Sequence, residues 1–138
     1  MATILPSNYK PTVKEKFMNA KQQEYFRQKL DKWRSELLDE ASETRQNLQE
    51  TSVSEADIAD RASTETDRSL ELRTRDRARK LISKIDEALE RIDAGSYGYC
   101  IETDEPISLK RLEARPIATL SLEAQERHEK MEKTQRDD

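Results

Sequence analysis

The chain has 138 residues, of which 39% are charged and 33% hydrophobic, with a formal net charge of −4; an ordinary soluble domain is about 25% charged and 45–50% apolar. A large compact core is therefore excluded, and a sequence pI of about 5.3 argues against sequence-independent DNA binding, which needs a concentrated basic surface. One cysteine, one histidine and two glycines leave no material for most Cys-His or Ser-His-Asp catalysis or for a glycine-rich phosphate loop, so the chain is not expected to be an enzyme.

The longest apolar run is Tyr99-Cys100-Ile101, too short for a signal-peptide core or a membrane span. A lone cysteine forms no internal disulfide, as suits a reducing compartment. A cytoplasmic protein that works through a protein partner is expected.

Residues 1–18 contain Pro6 and Pro11 with Ile4, Leu5, Tyr9 and Phe17 scattered between polar positions, an irregular pattern that predicts an extended arm packed on a base. A first helix is expected from Asn19, a good N-cap, to about Gln49. Its apolar seam reads Phe26, Leu30, Trp33, Leu37, Ala41, Thr44, Leu48, a narrow stripe in steps of three and four. Glu50 to Ser54 interrupt it. Ser54 can cap a second helix with Asp57 at its N3 position, and that helix carries a second seam of Leu70, Thr74, Ala78, Leu81, Ile85, Leu89 and Ile92 before Gly95 stops it.

Each stripe is too narrow for a core of its own, so the two are expected to pack antiparallel, with each arm of roughly 28 residues about 40 Å long. The fold class read from the chain is mostly α: a long antiparallel coiled-coil helical hairpin over residues 19–94 with its tip at about 50–62. A small globular base of residues 1–18 and 95–120 includes a short β-hairpin around Tyr97 to Ile107 and a helical turn from Leu109 to Ala114 closed by Pro116. A C-terminal helix is expected within 121–138.

At the tip, Asp57 and Asp60 stand three apart in the first turn of a helix, where the helix dipole favours negative charge by ~0.3–1 kcal/mol each. Paired carboxylates there also suit a hard cation. Arg73, Arg77, Lys80 and Lys84 recur at helical spacing and form a basic strip, either a solvated face with acidic partners or a surface for phosphates. Trp33 reads as a seam residue. His128, on a charged terminal helix, has no His or Cys partner and is given no role.

Four segments, Asp57-Ile58-Ala59-Asp60-Arg61-Ala62, Ser69 to Arg77, Tyr97-Gly98-Tyr99-Cys100 and Arg111 to Pro116, in this order and spacing, resemble the DksA family over about residues 19–125. The resemblance implies a monomeric factor that enters the secondary channel of bacterial RNA polymerase and modulates promoter initiation. It implies tip function for Asp57, Asp60 and Ala62, a polymerase contact at Arg73, and binding of the alarmone guanosine tetraphosphate at the polymerase interface by Arg77, Leu81, Lys84 and Arg115. A further family lysine falls at Gln125, which lacks the charge.

Many members of that family hold zinc with two Cys-x-x-Cys pairs. Those positions fall here on Cys100, Thr103, Ser121 and Ala124, so one thiolate remains, zinc is not expected, and Cys100 reads as a small core residue. Two other classes stay open: an accessory of the Gre type that stimulates transcript cleavage through magnesium held by the tip carboxylates, and a coiled-coil adaptor without channel chemistry.

Overall fold

A computed structural model describes residues 3–53 and 58–137, with side chains in that range except at 44, 47–53, 58–64, 136 and 137. Among the described residues the chain forms four helices: α1 (Ala20–Val53), α2 (Ile58–Ala94), α3 (Leu109–Ala114) and α4 (Leu122–Asp137). They are divided between two compact units, Met1–Leu30 with Glu87–Asp138, and Asp31–Asp86.

Asn19 starts α1 as its residue type requires. Its side-chain oxygen accepts the Gln22 N–H at 2.9 Å, satisfying one of the free donors of the first turn. The helix then runs through Thr51 and Ser52 to Val53, beyond the expected stop near Gln49. β-Branched and hydroxyl residues cost only tenths of a kcal/mol each in a helix, and neither glycine nor proline stands there to break it. The Ser54 cap and Asp57 lie outside the described residues.

Gly95, at φ 81°, ends α2. It bonds from its N–H to Ile92 at 3.2 Å, and Ser96 bonds back to the Arg91 carbonyl at 2.9 Å, a left-handed stop open to glycine.

In the unit Asp31–Asp86, both long helices contribute buried residues: Leu37 from α1, Ala78 and Ile85 from α2. Arg34 of α1 meets Asp86 of α2 at 2.7 Å. The second seam departs from its expected course here. Leu70 is 54% exposed and Thr74 is exposed, returning its hydroxyl to the Leu70 carbonyl at 3.0 Å.

Ala78, Leu81 and Ile85 keep to the expected seam, while towards the start of the helix the half-buried positions are Arg68, Glu71 and Arg75, which continue through Ala78, Ile82 and Ile85 in an alternation of three and four. Two successive steps of four, from Leu70 to Thr74 to Ala78, each rotate the stripe by about 40° on a helix of 3.6 residues per turn, so Leu70 is carried off the seam.

In the other unit, Phe26, Leu30, Ala88, Ile92, Tyr97, Ile107, Leu112 and Ala124 are buried. Phe26 packs its ring on Tyr97 at 5.6 Å and edge-on to Tyr25 at 5.2 Å. Arg27 of α1 reaches Asp93 of α2 at 2.9 Å. The N-terminal arm is folded into turns rather than extended: Tyr9 bonds to Pro6, Glu15 to Thr12 and Asn19 to Lys16 through the main chain.

Buried Gln22 ties the arm down, accepting the Met18 N–H at 2.8 Å and donating to the Thr12 carbonyl at 3.3 Å. The Met18 side chain lies 3.0 Å from where a Cβ on Gly98 would stand, and Gly98 has φ 93°. No other residue type fits that position without displacement.

The expected β-hairpin is reduced to one antiparallel bridge, Tyr99 with Pro106. Ile107 donates to Gly98 at 2.7 Å and Cys100 to Glu105 at 2.8 Å, but the Ile101 N–H turns away to Thr119. Pro106 has no N–H to offer a ladder, and the turn at Asp104, with φ 60°, closes the pair after one step. α3 follows over Leu109–Ala114 with Ser108 as its N-cap, and α4 begins after Ser121, whose hydroxyl accepts the Ala124 N–H at 3.2 Å.

Candidate functional site

The basic strip of α2 lies in the unit Asp31–Asp86. Arg73, Arg77, Lys80 and Lys84 are all exposed and Leu81 between them is half-buried. The bland alternative for such a strip is a set of helix-surface ion pairs. The pairs within this unit include Arg34 with Asp86, and none of the four strip cations pairs with a described residue. Four exposed cations at one helix face, without an ion-pair partner among the described residues, are suited to contact phosphates. Arg73 also borders a hollow of about 340 Å³ with Glu65, Thr66, Ser69 and Leu70.

Arg115 belongs to the other unit. It is exposed at the C-cap of α3, where its N–H donates to the Arg111 carbonyl at 2.7 Å. With Ser108, Lys110, Arg111, Ala114 and Leu122 it lines a cavity of about 350 Å³. The Arg111 guanidinium is already engaged, donating to the Leu120 carbonyl at 2.9 Å. Gln125, the uncharged position on α4, is half-buried and its amide donates to Glu129 at 3.3 Å. Of the tip residues, Asp57 lies outside the described residues. Asp60 and Ala62 lie within the backbone of α2, their side chains undescribed.

The four positions matched to the family's zinc ligands, where no zinc is expected, lie together in the unit that holds Arg115. Cys100 is buried. Burial alone pushes its thiol up, but the Thr103 hydroxyl and the main-chain N–H groups of Ser121, Thr103 and Glu102 outweigh it and hold the thiol down at about 6, because hydrogen bonds to a thiolate favour its ionised form. Ser121 uses its hydroxyl as the cap of α4. Ala124 is fully buried with a methyl group only. A structural zinc site requires four thiolate or imidazole ligands; one thiol, two hydroxyls and a methyl do not fit that ion. Among the described residues, no group of three or more His, Cys, Asp or Glu side chains is placed to hold a metal.

Two features escaped the sequence. Glu113 of α3 is held by α1: its carboxylate meets Lys29 at 2.6 Å and accepts from the Tyr25 hydroxyl, and its carbonyl accepts from the same Lys29 ammonium at 2.8 Å. Burial raises the Glu113 carboxyl, but the Lys29 and Tyr25 contacts prevail and lower it. His128 of α4 is bonded to Glu102 in the turn beside Cys100. No local pattern announces either contact, since the partners are far apart in the chain.

Comparison with known proteins decides the family. Residues 22–92 match the profile of the DnaK suppressor protein DksA, N-terminal domain, and residues 95–130 that of the prokaryotic dksA/traR C4-type zinc finger. A protein of Caulobacter vibrioides (strain NA1000 / CB15N) named RNA polymerase-binding transcription factor DksA is 63% identical over 99% of this chain and 98% of its own length. The chain belongs to the DksA family.

An RNA polymerase-binding transcription factor DksA of Escherichia coli (strain K12) is 41% identical over 89% of this chain and 80% of its own. Among solved structures, transcription factor DksA2 from Pseudomonas aeruginosa superposes with a TM-score of 0.80 at 46% identity, covering 85% of this chain and 90% of that one. The segment that matches the zinc-finger profile holds a single cysteine, Cys100. No described helix is long and apolar enough to cross a membrane.

Proposed function

We propose that this chain binds bacterial RNA polymerase and regulates the initiation of transcription. The observation that carries the reading is 63% identity along nearly its whole length to a factor named for that binding. The chain acts as a cytoplasmic, monomeric, non-enzymatic regulator. Residues 19–94 serve as a coiled-coil probe that enters the secondary channel, 1–18 and 95–120 as its base, and 121–138 as a terminal helix.

Asp57, Asp60 and Ala62 are the working tip and Arg73 contacts polymerase. Arg77, Leu81, Lys84 and Arg115 take the phosphates and base of guanosine tetraphosphate at the polymerase interface. The exposure of Arg77 and Lys84 and their freedom from ion pairs among the described residues support a role beyond a solvated face. The base holds together without zinc, a reading supported by the loss of three ligand types at Thr103, Ser121 and Ala124.

Transcription from a ribosomal RNA promoter tests the reading. The parent is expected to inhibit. A variant carrying Asp57→Asn and Asp60→Asn, which keeps size and removes both charges, is expected to compete with the parent for polymerase yet leave the promoter active. Equal inhibition by this variant overturns the channel-tip mechanism. Release of short RNA from a backtracked complex by the parent alone points instead to the Gre type.

A further inference from the structure

The main chain bearing Arg115 is pinned on both sides by side chains from elsewhere in its unit. Two residues before it, the Glu113 carbonyl accepts from Lys29 of α1 at 2.8 Å; one residue after it, the Pro116 carbonyl accepts from the Tyr97 hydroxyl at 2.7 Å. The Arg115 carbonyl is itself engaged by Ala118 at 3.0 Å. Glu113 adds a second hold through its carboxylate, bonded to Lys29 at 2.6 Å and to the Tyr25 hydroxyl.

The clamp continues into the N-terminal arm. The Tyr25 ring meets Tyr9 edge-on at 6.1 Å, and the Tyr9 hydroxyl is bonded to Glu15 at 2.6 Å. A guanidinium at the rim of a cavity thus projects from a backbone fixed by α1, while the side chain itself stays exposed. A cation held this way loses less conformational freedom when it engages a phosphate than one on a free loop does.

We infer that Lys29, Tyr25 and Glu113 are positioning residues for Arg115, acting through the α3 backbone on the phosphorylated effector; the inference rests on the proposed role of Arg115. An opposite outcome is built into the chemistry. Glu113 is a negative charge two residues from a cation that is to meet phosphate, so if it acted only through its field, neutralising it would tighten effector binding. Positioning gives the other sign.

The test titrates guanosine tetraphosphate against promoter inhibition for the full-length parent, Glu113→Gln, Tyr25→Phe, Arg115→Ala and the double variant E113Q with R115A, with polymerase affinity measured by competition. Glu113→Gln and Tyr25→Phe are each expected to raise the effector concentration for half-response by about 3- to 10-fold, the equivalent of one weakened hydrogen bond, with polymerase affinity unchanged. The double variant is expected to respond as Arg115→Ala alone does, since a residue acting through another adds nothing once that one is gone.

A tighter response of Glu113→Gln, or full additivity in the double variant, overturns the inference. So does a parental response from both Glu113→Gln and Tyr25→Phe alongside a weakened Arg115→Ala. A parental response from Arg115→Ala itself removes the underlying role of Arg115 and the inference with it, and is recognised from that single variant. Should Glu113→Gln fail to fold, Tyr25→Phe, which loses one hydroxyl, decides the sign.

Discussion

The hydroxyl of Tyr97 donates to the main-chain carbonyl of Pro116 at 2.7 Å, joining the second residue after the Gly95 stop of α2 to the chain that follows α3. Tyr97 is 2% exposed, and burial raises its phenol well above its ordinary range, so the proton stays on the donor. Tyr97→Phe leaves the buried Pro116 carbonyl without its partner and is expected to cost about 1–3 kcal/mol. A urea titration should show a lower midpoint at unchanged slope.

Chelation tests the zinc-free reading of the base. Because Thr103, Ser121 and Ala124 offer no thiolate, the purified protein is expected to contain no stoichiometric zinc and to keep its helical signal in a strong chelator. Elemental analysis and circular dichroism check both. About one zinc per chain, or unfolding on chelation, contradicts the expectation.

Cys100 gives a pH dependence with a definite sign. Its thiol moves from an ordinary 9.0 to about 6 in the folded chain, so the folded state gives up the proton first. The resulting stabilisation is complete above pH 9, declines as pH falls towards 6, and is absent below it. Cys100→Ala is expected to flatten the stability profile across that window. Ultraviolet absorbance of the thiolate in the parent should titrate with a midpoint near 6; a midpoint at the ordinary value removes the donors around the sulfur as its cause.

Glu113 acts in the acid range. Its folded carboxyl lies below the ordinary 4.5, so its contribution is full above that value and is lost as pH falls through the lowered one. Lys29→Met removes the partner that outweighs burial. It is expected to move the onset of acid unfolding to higher pH, measured by far-ultraviolet circular dichroism across an acid titration.

Arg77→Ala and Lys84→Ala test the strip. Neither side chain has an ion-pair partner among the described residues, so folding stability should change little. The loss of a charge-assisted hydrogen bond should weaken the effector response by ~1.5–3 kcal/mol. Equal titrations by variant and parent return the strip to the role of a solvated face.

The features legible in the sequence are those whose cause lies within one turn of chain. Asn19 caps α1 because its oxygen reaches the N–H three residues on. Gly95 ends α2 because it alone enters φ 81° freely. Ser108 and Ser121 open α3 and α4 by the same short reach. The four segments quoted for the resemblance were enough to indicate the family, since order and spacing survive without any knowledge of contacts.

What only the tertiary structure decided depends on partners far away in the chain. Leu70 satisfies a local stripe, but the half-buried positions there are Glu71 and Arg75, because the face that packs is set by the sustained alternation of three and four rather than by the most apolar residue in each turn. Lys29 and Glu113 stand 84 residues apart, so no periodicity could pair them. Beside the Thr103 hydroxyl, the donors that lower Cys100 are main-chain N–H groups, which every residue but proline carries; their convergence on one sulfur follows from the folding of the turn after Cys100 against the start of α4.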